Sequence, residues 1–241
     1  LDVNLQSVWH RIQMAARRVD RDPSEIQLVA VTKSQDVDGI QAAYDLGIRH
    51  FGENRVEDAE GKVERLPGDI VWHMIGHIQS RKARRVASVF DYVHSVDSLK
   101  LAQRLDRMCA EHTEPMPVLL QCNVSGEESK SGFAAERWEA DRGQAAEVFA
   151  QIGKVVALPH LEVRGLMTMA PIVSHPEEAR PVFVALSRLR DALAEAYPQV
   201  EWRDLSMGMT DDFEVAIEEG ATLVRVGRAI FAPDEPPWCK V

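Results

Sequence analysis

The sequence predicts a (β/α)8 barrel of the TIM type, and three observations lead there. About eight short apolar runs alternate with helical segments along the chain. The length, 241 residues, is what eight such units need. Polar residues recur where the expected strands end: Lys33, Glu53 with Asn54, His77, Ser125, Thr168, Ser206 and Arg225. In a barrel these ends converge on one mouth, where sites are built. A doubly wound open sheet is the alternative arrangement of the same elements.

Each element has its own signal. Leu5, Val8, Ile12, Ala15 and Val19 recur at helical spacing and predict an amphipathic helix over 4–19, ahead of the first strand. Residues 28–33, Leu-Val-Ala-Val-Thr-Lys, form an apolar run between polar flanks and predict a buried parallel strand. A helix over 36–46 has Val37, Ile40 and Tyr44 on one face and Gly47 as its cap, and a strand follows at 48–51. Helix 53–66 stops at Pro67-Gly68, strand 70–78 follows, and a basic helix lies near 80–87. Then come strand 90–96, helix 98–111 with Leu101, Leu105 and Met108 on one side, and strand 117–124. A polar loop at 125–132 precedes a long helical region over 134–156. Strand 161–169, helix 176–197 and strand 202–207 lead to a helix over 211–219, with Thr210 or Asp211 as N-cap and Gly220 as C-cap. Residues 223–226 close the series.

Composition narrows the function. Apolar residues make up 45% of the chain, enough for a full core in one domain, expected over 1–233 with a disordered tail at 234–241. The net charge of −10 argues against nucleic acid and anionic membranes as partners, and the basic run at 81–85 reads as the solvated face of a helix. Cys109, Cys122 and Cys239 are odd in number and far apart, without metal-ligand spacing, so neither a disulfide frame nor a metal site is expected. No apolar stretch reaches the length of a membrane span, and a cytoplasmic monomer is the expectation.

Two strands carry the candidate chemistry. With a side-chain period of two, Val29, Val31 and Lys33 share one face, which puts an amine at the end of a row of core positions. A buried neutral lysine there is prepared for Schiff-base chemistry, whereas one that snorkels to solvent is the simpler reading of this stretch alone. On the last strand, Val-Arg-Val-Gly-Arg at 224–228, Arg225 and Gly227 point into the barrel. An inward guanidinium needs an acceptor, either a ligand or a carboxylate such as Glu53. Phosphate sites in these barrels commonly use the loops after strands seven and eight. Here those loops are Ser-Met-Gly-Met-Thr-Asp-Asp at 206–212 and Gly-Arg-Ala at 227–229. A lysine on strand one, an arginine on strand eight and a phosphate cup beside it describe a ligand with a carbonyl, a ring acceptor and a phosphate, as in pyridoxal 5′-phosphate.

The motifs also resemble a known family. Leu-Val-Ala-Val-Thr-Lys at 28–33, His-Phe-Gly-Glu-Asn-Arg at 50–55, Trp-His-Met-Ile-Gly-His-Ile-Gln-Ser at 72–80 and Ser-Lys-Ser-Gly-Phe at 129–133 belong to the match. So do Arg-Gly-Leu-Met at 164–167, Leu-Ser-Met-Gly-Met-Thr-Asp-Asp at 205–212 and Val-Arg-Val-Gly-Arg-Ala-Ile-Phe at 224–231. Together they resemble the pyridoxal phosphate homeostasis proteins, which are similar to the N-terminal barrel of alanine racemase. The resemblance implies that Lys33 bonds covalently to the cofactor, that Asn54 lies near it and that Arg225 faces the pyridine nitrogen. It implies a phosphate cup from Ser206 and the backbone at Gly227 and Arg228, Met207 against the ring, His77 at the mouth, and Lys130 in a loop. Relatives often carry threonine at the position of Arg228, so a hydroxyl contact to phosphate is replaced here. The implied function is a protein that holds, buffers or delivers the cofactor, to apo enzymes among others, in vitamin B6 and amino-acid homeostasis. The competing class is a racemase or lyase on amino acids. An arginine opposite the ring nitrogen makes a poorer electron sink than a carboxylate, which favours the binding protein.

Overall fold

Short apolar strands must find their hydrogen-bond partners on neighbours, and here each barrel strand finds two. The computed structural model describes residues 1–127 and 130–232. Helix α1 (Asp2–Arg18) precedes β1 (Gln27–Val31), α2 (Val37–Asp45), β2 (His50–Glu53), α3 (Val56–Val63), β3 (Val71–Met74) and α4 (Ala83–Val89). Next come β4 (Tyr92–Val96), α5 (Leu99–Met108), β5 (Met116–Asn123), the two-residue β6 (Phe133–Ala134), α6 (Arg142–Val156) and β7 (Leu161–Met167). The chain ends in α7 (Arg180–Ala196), β8 (Asp204–Ser206), α8 (Phe213–Glu218), β9 (Leu223–Val226) and α9 (Arg228–Phe231). Pairing runs β4-β3-β2-β1-β9-β8-β7-β5 and returns from β5 to β4, all parallel, so eight strands close a barrel; β6 lies only on β5. The open-sheet alternative is thereby excluded.

Strand parity sorts the core into two layers. Leu28, Ala30, Phe51, Trp72, Met74 and Val93 pack outward beneath the helices. Val29, Tyr92, Leu119, Met167 and Leu223 fill the bore as a separate cluster. Helix α1 buries Leu5, Val8 and Ile12 and is tied to α8 by Arg11, whose Nε and Nη2 donate to Glu214 at 2.9 and 2.7 Å. The same guanidinium stacks 4.4 Å over Phe213.

Several boundaries differ from expectation for local reasons. Helix α6 begins at Arg142 because the Asp141 carboxylate accepts from Gly143 and Gln144 amides at 2.9 and 3.1 Å, a side-chain cap stronger than the apolar pattern before it. Helix α8 starts two residues late, at Phe213, since the Asp212 carboxylate turns back to accept from the Met209 amide at 2.6 Å. The basic run at 81–85 is paired as well as solvated: Lys82 lies 2.8 Å and Arg85 3.0 Å from Glu57 on α3. Cys109 and Cys122 are buried free thiols, and burial pushes them up to about 11 and about 12. Among the described residues, no helix is long and apolar enough to cross a membrane. The tail at 234–241 and Cys239 lie outside the described residues.

The mouth is shaped by one tight crossing. A Cβ on Gly76 would sit 2.2 Å from the Asn54 carbonyl oxygen, so only glycine lets the loop after β3 pass over the end of β2. Gly76→Ala should therefore displace Asn54 and lower stability by about 1–3 kcal/mol in urea unfolding. An unchanged midpoint would contradict that crossing.

Candidate functional site

Arg225 sits in the middle of β9, and parity aims it into the bore, where it is 4% exposed. Its Nη2 donates to the Thr168 carbonyl at 2.9 Å and its Nη1 to the Ser206 hydroxyl. Burial pulls the guanidinium down to about 10, with nearby Asp212 opposing the shift. Asp212 is itself buried, which raises its carboxyl above the usual range. Glu53, considered as a partner for Arg225, faces the other way.

A line of three imidazoles reaches the same serine. His50 Nδ1 lies 2.9 Å from His73 Nε2, His73 Nδ1 2.8 Å from His94 Nε2, and His94 Nδ1 2.9 Å from Ser206 Oγ. His73 and His94 are fully buried and His50 half-buried. Desolvation lowers all three, His73 to about 3 and His94 well below its ordinary value, so the rings are neutral at neutral pH. Tyr92 packs against two of them, with ring centroids 5.4 and 4.9 Å from His73 and His94, and its hydroxyl donates to Asp204 at 2.6 Å.

The lysine of the first strand is placed differently from expectation. Strand β1 ends at Val31, and a turn closed by the Gln35 amide on the Thr32 carbonyl at 2.9 Å carries Lys33 out to the surface, where it is exposed. The lysine held in this corner is half-buried Lys62 of α3, whose Nζ donates to Glu53 Oε1 at 2.7 Å and to the Thr32 carbonyl at 3.0 Å. Thr32 Oγ1 donates to the same carboxylate oxygen at 2.6 Å. Lys33 thus protrudes from a corner fixed by its neighbour. It borders two clefts, of about 190 Å3 with Val31, Gly227, Arg228 and Phe231, and of about 330 Å3 with Asn54, Arg55 and Asp58.

The remaining expected site residues divide. Gly227 approaches β1 so closely that a Cβ would meet the Val31 Cβ and carbonyl oxygen at 3.2 Å, and it leads into α9, whose first amides have no acceptor within the helix. Arg228 pairs with Asp211 on the exposed rim, tying the two loops after β8 and β9. Ser206 joins Arg225 in the bore, while Met207 packs outward in the layer beneath the helices. His77 is exposed, 3.0 Å from Asp97, and lines neither cleft. Lys130 is half-buried near Glu127, 3.6 Å away.

Sequence reasoning missed His50, His73, His94, Thr168 as Arg225's acceptor, and Lys62. The signal for the histidines lay in parity. His73 stands between outward Trp72 and Met74, and His94 follows outward Val93, so both face the bore.

Comparison with known proteins places the chain in a family. Residues 3–234 match the family model for the alanine racemase N-terminal domain. A pyridoxal phosphate homeostasis protein of Pseudomonas aeruginosa is 43% identical over 229 residues, covering 95% of this chain and 93% of that one. The chain belongs to the pyridoxal phosphate homeostasis protein family. Among solved members, PipY of Synechococcus elongatus, 35% identical, superposes with a TM-score of 0.80 without pyridoxal phosphate and 0.77 with it bound, covering 92% of this chain and 99% and 100% of those chains. Alanine racemase of Clostridium difficile shares the fold with a TM-score of 0.70 at 11% identity, covering 97% of this chain and 58% of that one.

The buried rings set an acid limit on this family member. His73 and His94 bind protons in the unfolded chain near pH 6.5 and do not in the folded one until far lower pH, so the unfolded state holds more protons and stability falls as pH falls. Between pH 7 and pH 5 the loss should be on the order of 2 kcal/mol per buried ring, read from urea midpoints. A pH-independent midpoint over that range would show that the rings are charged in the fold.

Proposed function

We propose that the barrel mouth binds pyridoxal 5′-phosphate, carried covalently on Lys33, and that the protein holds, buffers or delivers this cofactor in vitamin B6 and amino-acid homeostasis. The observation that carries the reading is a reachable primary amine, Lys33, at the mouth of a barrel whose bore holds the buried Arg225. The residues fit the group on chemical grounds. Arg225 offers only donors, which suits an acceptor ring nitrogen. Gly227 leaves backbone where a side chain would block approach, and the free amides at the start of α9 suit a phosphate. The names of the relatives and the PipY structure with pyridoxal phosphate bound support the same reading.

When bound, the cofactor supplies an aldehyde that captures amines and a conjugated ring that withdraws electrons. The chain's own residues favour holding it over turning substrates over. Arg225, which carries only donors, would give a ring nitrogen no proton, and electron withdrawal would be weaker. Exposure of Lys33 leaves the attachment open to exchange with an incoming amine, the property a donor to apo enzymes needs. Asn54 borders the second cleft beside Lys33 and Ser206 braces Arg225, and both serve in positioning.

The purified protein loaded with pyridoxal phosphate should absorb in the visible, and borohydride should fix the label on Lys33 in a peptide map. Lys33→Ala should lose the chromophore with an unchanged far-UV spectrum. Label on Lys62 would contradict the assignment. Pyridoxal, lacking the phosphate, should bind at least about tenfold more weakly, because charge-assisted hydrogen bonds are lost.

A further inference from the structure

The line of histidines crosses the barrel along its length. His50 opens β2, at the foot where the strands begin, and Ser206 closes β8, at the mouth where they end. Nitrogens 2.8 to 2.9 Å apart leave no room for an ion between the rings, so each gap is a hydrogen bond. A neutral imidazole has one donor and one acceptor nitrogen, which makes the whole line directional. In one direction all three rings carry their proton on Nε2: Ser206 donates to His94, His94 to His73, His73 to His50, and the His50 Nε2–H points out of the line. In the other all three carry it on Nδ1, His50 donates inward, His94 donates to Ser206 Oγ, and the serine proton is free. Ser206 Oγ accepts from Arg225 in both cases. Mixed states would set donor against donor or acceptor against acceptor between buried rings, a costly arrangement.

We propose that His50, His73, His94 and Ser206 form a tautomeric relay, in which the hydrogen-bond direction set at the foot of the barrel decides whether the Ser206 hydroxyl donates into the bore or toward a ligand at the mouth. The three histidines are positioning residues: they act on the site through Ser206. Reversal moves one proton along each link. His94 Nδ1 takes the serine proton, His94 and His73 pass theirs from Nε2 to the next Nδ1, and His50 releases its Nε2 proton to solvent, while the serine is reprotonated from the mouth side. Charged groups near the line include Arg225 and Asp212 at the mouth end, and Asp204 and Arg164 against Tyr92. None of them hydrogen-bonds a ring, so the direction is left to the two ends. The consequence for the ligand rests on the cofactor reading above, whereas the coupling along the line does not.

The test forces the direction at the foot and reads it two rings away. With 15N-histidine labelling, long-range proton-nitrogen spectra separate the two tautomers of each ring. In the wild type His73 and His94 should share one tautomer. In His50→Glu, residue 50 only accepts, so His73 and His94 should both be protonated on Nε2. In His50→Lys it only donates, and both should be protonated on Nδ1. The same His94 tautomer in the two variants, or different tautomers on His73 and His94 in the wild type, would overturn the relay. Pyridoxal phosphate should bind about tenfold more tightly to His50→Lys than to His50→Glu, the worth of one freed hydrogen bond. Absence of any cofactor binding with the spectra as expected would sink the cofactor reading and leave the relay standing.

Discussion

A guanidinium buried in the bore of a barrel is the constraint on which this site depends. Arg225 cannot shed its proton at physiological pH, and taking a charge out of water is costly unless its donors are met. The fold meets them with a carbonyl at the end of β7 and a hydroxyl at the end of β8. Asp212, buried nearby without a hydrogen bond to it, supplies the compensating field. The neutral histidines follow from the same constraint. A second cation beside Arg225 would be repelled, and the arginine contributes to holding His94 without its proton.

The amine is governed by a separate corner. Glu53, buried, and Lys62 of α3 form a pair that grips the Thr32 hydroxyl and carbonyl, so the backbone just before Lys33 is held by hydrogen bonds while the lysine side chain is exposed. Under the proposed reading, a held backbone with an exposed side chain suits an amine that carries the cofactor. Gly76 and Gly227 thin the walls on either side of that reach, each by excluding a Cβ against a neighbouring strand end. Buried arginine, hydrogen-bonded corner and exposed amine thus come from different strands and meet only when the barrel closes.

Much of this was legible in the sequence, and what was not has a physical cause. The limits of β9 and the inward turn of Arg225 followed from period-two alternation alone. The same rule applied to β1 put Lys33 in line with Val29 and Val31, but the turn at Thr32 ends the alternation, and nothing in the apolar run announces a turn held by a residue on a later helix. The histidines are far apart in sequence and looked scattered, although the parity of β3 and β4 fixed their direction. What parity cannot give is the register between strands, which brings three rings into one line. Met207 shows the converse limit: a motif suggested contact with a ligand, and strand parity sends its side chain beneath the helices.

The central claim of the proposed cofactor reading is that Arg225 would offer a bound ring a donor and no proton. The 15N resonance of ring-labelled pyridoxal phosphate loaded on the protein measures this directly. The account predicts an unprotonated ring nitrogen at neutral pH, shifted when Arg225 is replaced by glutamate. A protonated pyridinium in the unaltered protein would contradict it.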